Sequence, residues 1–415
     1  MQTTLRVLRY ILIAIVVLLL GGVAGWYLYL RAHQSSSAST DAARGLSSDA
    51  PPIRGSRGST LSAAGSPEGV ATPPNEEGPR SIERLWRAAR GPVAGFSFIA
   101  TSSRATSSAP LYFAERANGY IFSADAVTQK VTRITNTLMP KTYEAVFPQV
   151  GGRVILRSID EEGRVATFAA SFATLESTTT LPQALTGVYL PLDIRAITLE
   201  ADGRSVFYLT DDPSVGGVVG LSGAWDAKPK NVFSSFLRSW RLLFARGETI
   251  LLSNPSDDIL GFAYRLGTNG SLSPLAGPLP GLTIVPHPTE SALLLSASSG
   301  GRLSLYAQIG SKTPLALTLA TVAEKCVWAP GKALIAYCAV PTELVAASFL
   351  NEWYRGALHT KDAWWKVDAA AGTADLLYTP RHDLDVQHPA INSSGTYIAF
   401  INGDDQALWI LRIVE

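Results

Sequence analysis

Tight turns set between short apolar runs recur from about residue 93 onward, and their spacing limits the fold more than any other feature. Their centres fall near residues 105, 151, 203, 247, 290, 331 and 395. Most intervals are about 41–52 residues and the last is about 64, where a blade of a β-propeller takes 40–50. One unit runs RAITLEADGRSVFYLT from Arg195, with Asp202-Gly203 as a hairpin signal. Another runs KCVWAPGKALIAYCAV from Lys325 and turns at Gly331, and a third starts at His388 and turns at Ser394-Gly395. Looser copies start at Glu144, Ser239 and Leu282. A single four-stranded sheet has two apolar faces that it cannot bury alone, and a closed ring of such sheets buries both. The pattern predicts an all-β chain, a single β-propeller over residues 93–415, counted as seven blades with six or eight as the alternatives. The seventh unit reaches Glu415 after about three strands. Its fourth is expected from the N-terminal side of the domain, with residues 88–94 as the nearest candidate.

Ahead of the repeats the chain changes character twice. Residues 10–30, YILIAIVVLLLGGVAGWYLYL, carry no charge and match the roughly 20 residues that cross a bilayer as a helix. Arg6 and Arg9 precede the run, Arg31 ends it, and Trp26, Tyr27 and Tyr29 sit where aromatic rings favour the lipid–water boundary. The expectation is a single-pass signal anchor in a cell membrane. Residues 1–9 would lie in the cytoplasm and the C-terminal domain outside it. Gly21 and Gly25 form a small-xxx-small pair, a weak dimerisation signal. Residues 31–80 are rich in Ser, Ala, Gly, Pro and Thr and poor in large apolar side chains, which predicts a disordered linker. Residues 81–92 form a short lead-in. In it Ile82, Leu85, Trp86 and Ala89 recur at helical spacing and suggest a short amphipathic helix.

The net charge of +1 shows no basic excess of the kind a nucleic-acid partner requires. No nucleophile elbow, P-loop, dinucleotide fingerprint, zinc-protease helix or EF-hand is present, so no catalytic residue and no cofactor are assigned. Five histidines occur, and the tightest polar group is His382, Asp383, Asp385 and His388. These are weak metal candidates, because acidic residues between strands more often bond local backbone. The same holds for Asp257-Asp258, Asp404-Asp405 and Asp211-Asp212. Asn392-Ser393-Ser394 formally fits an N-glycosylation acceptor.

The units resemble the TolB-type WD40-like repeats. An aromatic or apolar residue, then Pro or Ala, then a glycine turn and an apolar strand appear in Trp328-Ala329-Pro330-Gly331 and in the run Ala390 to Phe400. The likeness is clearest over residues 282–414; the Gly-His start and Trp-Asp end of the better-known WD40 unit are missing. The resemblance implies a propeller and extracytoplasmic protein contacts, and it transfers no catalytic residue.

The long last interval marks an insertion in the sixth unit, VPTELVAASFLNEWYRGALHTKDAWWKVD from Val340. Inserted propeller loops project from a face, and large aromatics bury much area at little entropic cost. Trp353, Tyr354, Arg355 and Trp365 are therefore candidate binding residues for a protein partner, a glycan or a peptide. The competing role for the rings is to fold the insertion back onto the rim. The reading is a membrane-anchored scaffold for protein or ligand binding. The alternatives are a structural envelope component, or a hydrolase or metal-dependent lyase. Finally, Cys326 and Cys338 are the chain's two cysteines and lie symmetrically about a turn near Lys332. Directly opposed antiparallel positions allow a disulfide, and such bridges persist outside the cytoplasm.

Overall fold

The computed structural model describes residues 83–100, 108–149, 151–174, 182–214, 216–346 and 348–413. The expected membrane segment at 10–30 and the expected linker at 31–80 lie outside them. No helix among the described residues is long and apolar enough to cross a membrane.

The described residues form seven four-stranded antiparallel sheets, the blades of a β-propeller. In six blades the strands follow chain order from the ring's inside to its outside. Six of the seven expected turn positions match the hairpins between inner and second strands, and the first, near residue 105, lies outside the described residues. In blade 3, for example, Ala196–Leu199 pairs with Ser205–Asp212 across Gly203. Gly203 there has φ +67°, a conformation glycine reaches without the cost a Cβ imposes.

Blade 7 is assembled from both ends of the domain. Val386–Ile391, Tyr397–Asn402 and Leu408–Arg412 are its first three strands, and Leu85–Arg87 adds the outer one. Leu85 pairs with Leu411 and Arg87 with Trp409. The expected N-terminal closure is therefore present, but the strand lies at 85–87 rather than 88–94. The amphipathic helix expected at 81–90 is not formed in its described part. Its apolar residues instead serve a strand, with Leu85 packed toward blade 6 and Trp86 toward blade 1. Two spacings that satisfy a short helix also satisfy opposite faces of a strand, and the open edge of blade 7 decides between them.

Seven apolar clusters fill the seven seams between neighbouring blades. The second strands explain why this works. Each is buried on both faces, so it reads as an unbroken apolar run rather than an alternating one. In Ser205–Asp212, Val206 and Tyr208 enter the seam with blade 2, while Phe207 and Leu209 enter the seam with blade 4. In Tyr397–Asn402, Ile398 and Phe400 face blade 6, and Ala399 and Ile401 face blade 1.

All inner strands begin at one end of the ring, here called the entry face, and turn at the other, the hairpin face. Connections between blades, and loops between second and third strands, lie on the entry face. The blade-6 insertion is one of these loops. It joins Ile335–Pro341 to Asp362–Asp368 and contains a short helix, α1 (Phe349–Tyr354).

Cys326 and Cys338 are direct register partners on the inner and second strands of blade 6 and form the expected disulfide, with their Cα atoms 4.0 Å apart.

Candidate functional site at the entry end of the ring axis

Six residues do not make a stable helix by themselves, so α1 depends on what holds it. Phe349, Leu350 and Trp353 form a satellite core with Leu303 of blade 5 and Val322 of the connection into blade 6. Asp257, in a blade-4 loop, accepts hydrogen bonds from the backbone N–H groups of Leu350 (3.3 Å) and Asn351 (2.9 Å). Unpaired N–H groups at a helix start are thus met by a carboxylate from a distant loop. The insertion leaves blade 6 and reaches back over the entry face as far as blade 4.

Its C-terminal side is fixed by a buried charge cluster. Lys325 immediately precedes the inner strand of blade 6, Asp362 starts the third strand, and Asp385 immediately precedes the inner strand of blade 7. The Lys325 ammonium is fully buried and donates to Asp362 Oδ2 (2.5 Å), Asp385 Oδ1 (2.6 Å) and Thr360 Oγ1 (2.6 Å). It also lies 5.1 Å from the ring centre of Trp353. Asp385 accepts further bonds from Trp353 Nε1 (2.9 Å), Thr360 Oγ1 (2.9 Å) and Gln387 Nε2 (3.3 Å), and its Oδ2 lies 3.1 Å from His359 Nδ1. A Cβ on Gly403 would meet Asp385 Oδ2 at 2.2 Å, so only glycine fits beside this carboxylate.

The two aspartates respond oppositely to burial. Burial raises the Asp362 carboxyl above its usual range, against the pull of Lys325, and its Oδ1 has no hydrogen-bond partner. Burial works against the charge of Asp385 as well, but Lys325, Trp353 and His359 outweigh it and hold its carboxyl below the usual range. The cluster therefore behaves as one ammonium–carboxylate pair with a second, reluctant carboxyl beside it.

In front of this cluster lies a cavity of about 560 Å³, a size suited to small ligands. Blades 4, 6 and 7 and the insertion line it, through Arg241, Asn254, Glu324, Tyr354, Arg355 and His388 among others. Arg241 Nη1 contacts Glu324 Oε1 at 2.5 Å, and the Tyr354 hydroxyl donates to Glu324 Oε2 at 2.9 Å. The Arg241 guanidinium lies 5.4 Å over the Tyr354 ring. Burial and the Glu324 charge raise Tyr354 well above the usual phenol range. Burial opposes the charge of Arg241, yet Glu324 and Tyr354 overcome it and keep the guanidinium protonated.

His388 has the most unusual backbone in the site. Its φ is +51°, and the next residue is Pro389, which ordinarily forces its predecessor into an extended conformation. The register between the inner and second strands of blade 7 shifts between Gln387 and Ala390, so a bulge turns His388 toward the cavity. Its side chain is open to the cavity, and the surrounding ring walls disfavour the imidazolium and lower its pKa below the usual histidine value.

The expected site residues separate into distinct roles. Trp353 is 5% exposed and belongs to the satellite core, although one edge reaches the cavity. Tyr354 and Arg355 line the cavity. Trp365 lies elsewhere, half-buried against the seam between blades 5 and 6, while Trp364 is fully buried in the next seam. The four weak metal candidates do not converge. His382 packs 5.5 Å from Trp409, Asp383 pairs with Lys361 at 3.0 Å, Asp385 is in the buried cluster, and His388 faces the cavity. Among the described residues no three His, Cys, Asp or Glu side chains gather as a metal-holding group. Asn392 is buried, and its side-chain oxygen accepts from the N–H groups of Thr396 and Tyr397, so this acceptor motif serves a turn.

Sequence reasoning missed Lys325, Arg241 and Glu324, and it placed Asp362, with Arg355, His359 and Lys361, only in the polar rim of the insertion. The signal available was weak: charged residues placed directly against buried strands on the entry face. Which of them meet depends on the ring.

No protein-family model matches the chain, and no curated protein matches it. Solved structures do match. The β-propeller domain of the Trilobed protease from Pyrococcus furiosus is 10% identical, covering 79% of this chain and 97% of that one, with a TM-score of 0.48. Oligogalacturonate lyase in complex with manganese is 11% identical, covering 79% and 99%, with a TM-score of 0.50. Virginiamycin B lyase from Staphylococcus aureus is 11% identical, covering 77% and 99%, with a TM-score of 0.43. At about one identical residue in ten, the likeness shows the propeller fold alone.

Proposed function

We propose that this chain is a membrane-anchored, extracytoplasmic propeller of the TolB-like kind that binds a small ligand, or an extended piece of a partner, in the entry-face cavity. The observation that carries the reading is the insertion. One loop of blade 6 crosses to blade 4, is fixed by Asp257, Glu324 and Asp385, and presents Tyr354 and Arg355 to a cavity of ligand size. Loops held on a rigid scaffold are where binding residues concentrate. The apolar run at 10–30 supports anchoring, and the Cys326–Cys338 bridge supports an oxidising compartment. Hydrogen exchange on the full chain in detergent micelles, with pooled short peptides and oligosaccharides, tests the site. The expected result is added protection at residues 349–355 and 386–388. Protection confined to other surfaces would sink it.

A second reading, an enzyme, is favoured by His388. A strained backbone turns an imidazole of lowered pKa into the cavity, and strain of this type concentrates at sites of chemistry. A neutral imidazole there could take a proton from a bound substrate. Mass spectrometry of acidic oligosaccharides and peptide esters incubated with the full chain would show product that His388→Ala abolishes. Unchanged substrates, or turnover indifferent to that variant, would exclude this role.

A further inference from the structure

We infer that the ligand of the entry-face cavity carries a single carboxylate and that Arg355 receives it; the inference rests on the cavity being the binding site. Glu324 has one oxygen on Arg241 and the other under the Tyr354 hydroxyl, so this pair is self-contained. Asn254, Pro255, Asn351, Trp353 and Gln387 carry no charge, and His388 lies lower on the pH scale than an ordinary histidine. Behind Trp353, Lys325 is paired with Asp362 and Asp385, and none of the three lines the cavity. Arg355 remains. It lines the cavity, and among the described residues no carboxylate forms an ion pair with it.

A guanidinium offers paired N–H donors that match a carboxylate in fork geometry. One cation without a carboxylate partner on the walls suits a monoanion, whereas a phosphate dianion would bring a second negative charge that no lining group matches. The amides of Asn254 and Asn351 and the Tyr354 ring suit the polar and flat parts of such a molecule. A uronic acid and a peptide C-terminus share this chemistry.

The test measures binding of glucuronate and N-acetyl-alanyl-alanine to the full chain in micelles, against glucose and the dipeptide amide. Both the dissociation constant and hydrogen-exchange protection are followed. The expected result is that at least one acid binds about tenfold more tightly than its neutral counterpart. Arg355→Gln should remove that margin without changing the melting temperature, because the side chain is exposed, and Arg355→Lys should keep part of it. Which acid binds separates a saccharide source from a peptide source. Equal binding of acid and neutral forms, with protection at 349–355, overturns the carboxylate inference and leaves the site reading standing. Acid binding that protects other residues overturns both. Binding unchanged by Arg355→Gln, or no binding by any of the four, overturns the inference.

Discussion

The two ends of the ring axis are built from the same seven inner strands, yet they differ in chemistry. At the hairpin face a second cavity, about 440 Å³, is lined by Phe98, Ile99, Val285, Val327, Trp328 and several prolines. Its order comes from strand geometry and apolar contact, with Trp328 Nε1 donating to the carbonyl of Val285 at 2.9 Å. At the entry face a loop inserted in one blade brings charged groups together from blades 4, 6 and 7 and buries an ammonium with two carboxyl groups. The repeat supplies the ring, and a departure from the repeat supplies the specialised surface. A hairpin-face change should therefore cost what packing costs, and an entry-face change what unpaired charge costs.

Lys325→Met breaks the comparison at its strongest point. It leaves Asp385 and Asp362 buried without their cation, and a loss of about 3–5 kcal/mol in denaturant unfolding is expected. Adding Asp362→Asn and Asp385→Asn should recover much of it. A single-variant loss below about 1 kcal/mol would show that the cluster does not fix the insertion. Cys326→Ala with Cys338→Ala removes the covalent tie at the entry end of the same blade. Its expected cost is about 3 kcal/mol or less, because the closed loop spans only 12 residues. Intact mass of alkylated, unreduced protein should show no free thiol.

Trp328→Phe is the matching change at the hairpin face. It removes one hydrogen bond and part of a ring, for about 1–2 kcal/mol. A cost equal to that of Lys325→Met would erase the contrast. His388→Gly should act in the other direction and stabilise the fold by about 1 kcal/mol, since glycine accepts a positive φ freely. A loss on melting would mean that the imidazole packs more than it strains.

The smallest effect lies in pH. The carboxyl of Asp385 titrates below its ordinary 3.8, so its contribution is complete above that value and is lost as pH falls through the folded-state pKa. Asp362 is displaced upward, so its ionisation opposes folding, and acidification through its raised pKa relieves that cost. Melting temperatures across the acid range should show Asp362→Asn lacking the early relief and Asp385→Asn lacking the later loss. Parallel curves for both variants and the parent would refute the assignment.

The ring was legible because a blade is a local object. Strand, glycine turn and strand recur in one stretch of chain, and residues 202–203, 331 and 394–395 mark the inner hairpins directly. The disulfide was legible for the same reason, through the symmetry of positions 326 and 338 about their turn. The strand at 85–87 was harder, because three residues carry no period and their partner lies at 409–411. The cluster was least visible. Lys325, Asp362 and Asp385 each look like an ordinary polar residue at a strand end, and only the folding of blade 6 and the packing of blade 7 beside it bring both carboxylates within 3 Å of the Lys325 ammonium. Arg355 was visible only as part of the insertion. Its lack of a partner is a property of the folded walls, as is the engagement of Glu324.

The strand at Leu85–Arg87 joins mechanics to topology. It runs from the hairpin face to the entry face, so any pull transmitted through the chain ahead of Glu83 reaches the ring at its hairpin end. Such a load acts along the strand and shears three residue pairs against Leu408–Arg412, rather than peeling them one at a time. Arg84 reinforces that end, with its Nε on the carbonyl of Arg412 at 3.2 Å and its guanidinium over Tyr378 of blade 6. Tension along the leading segment would thus be shared between two blades at the point where the circle is fastened.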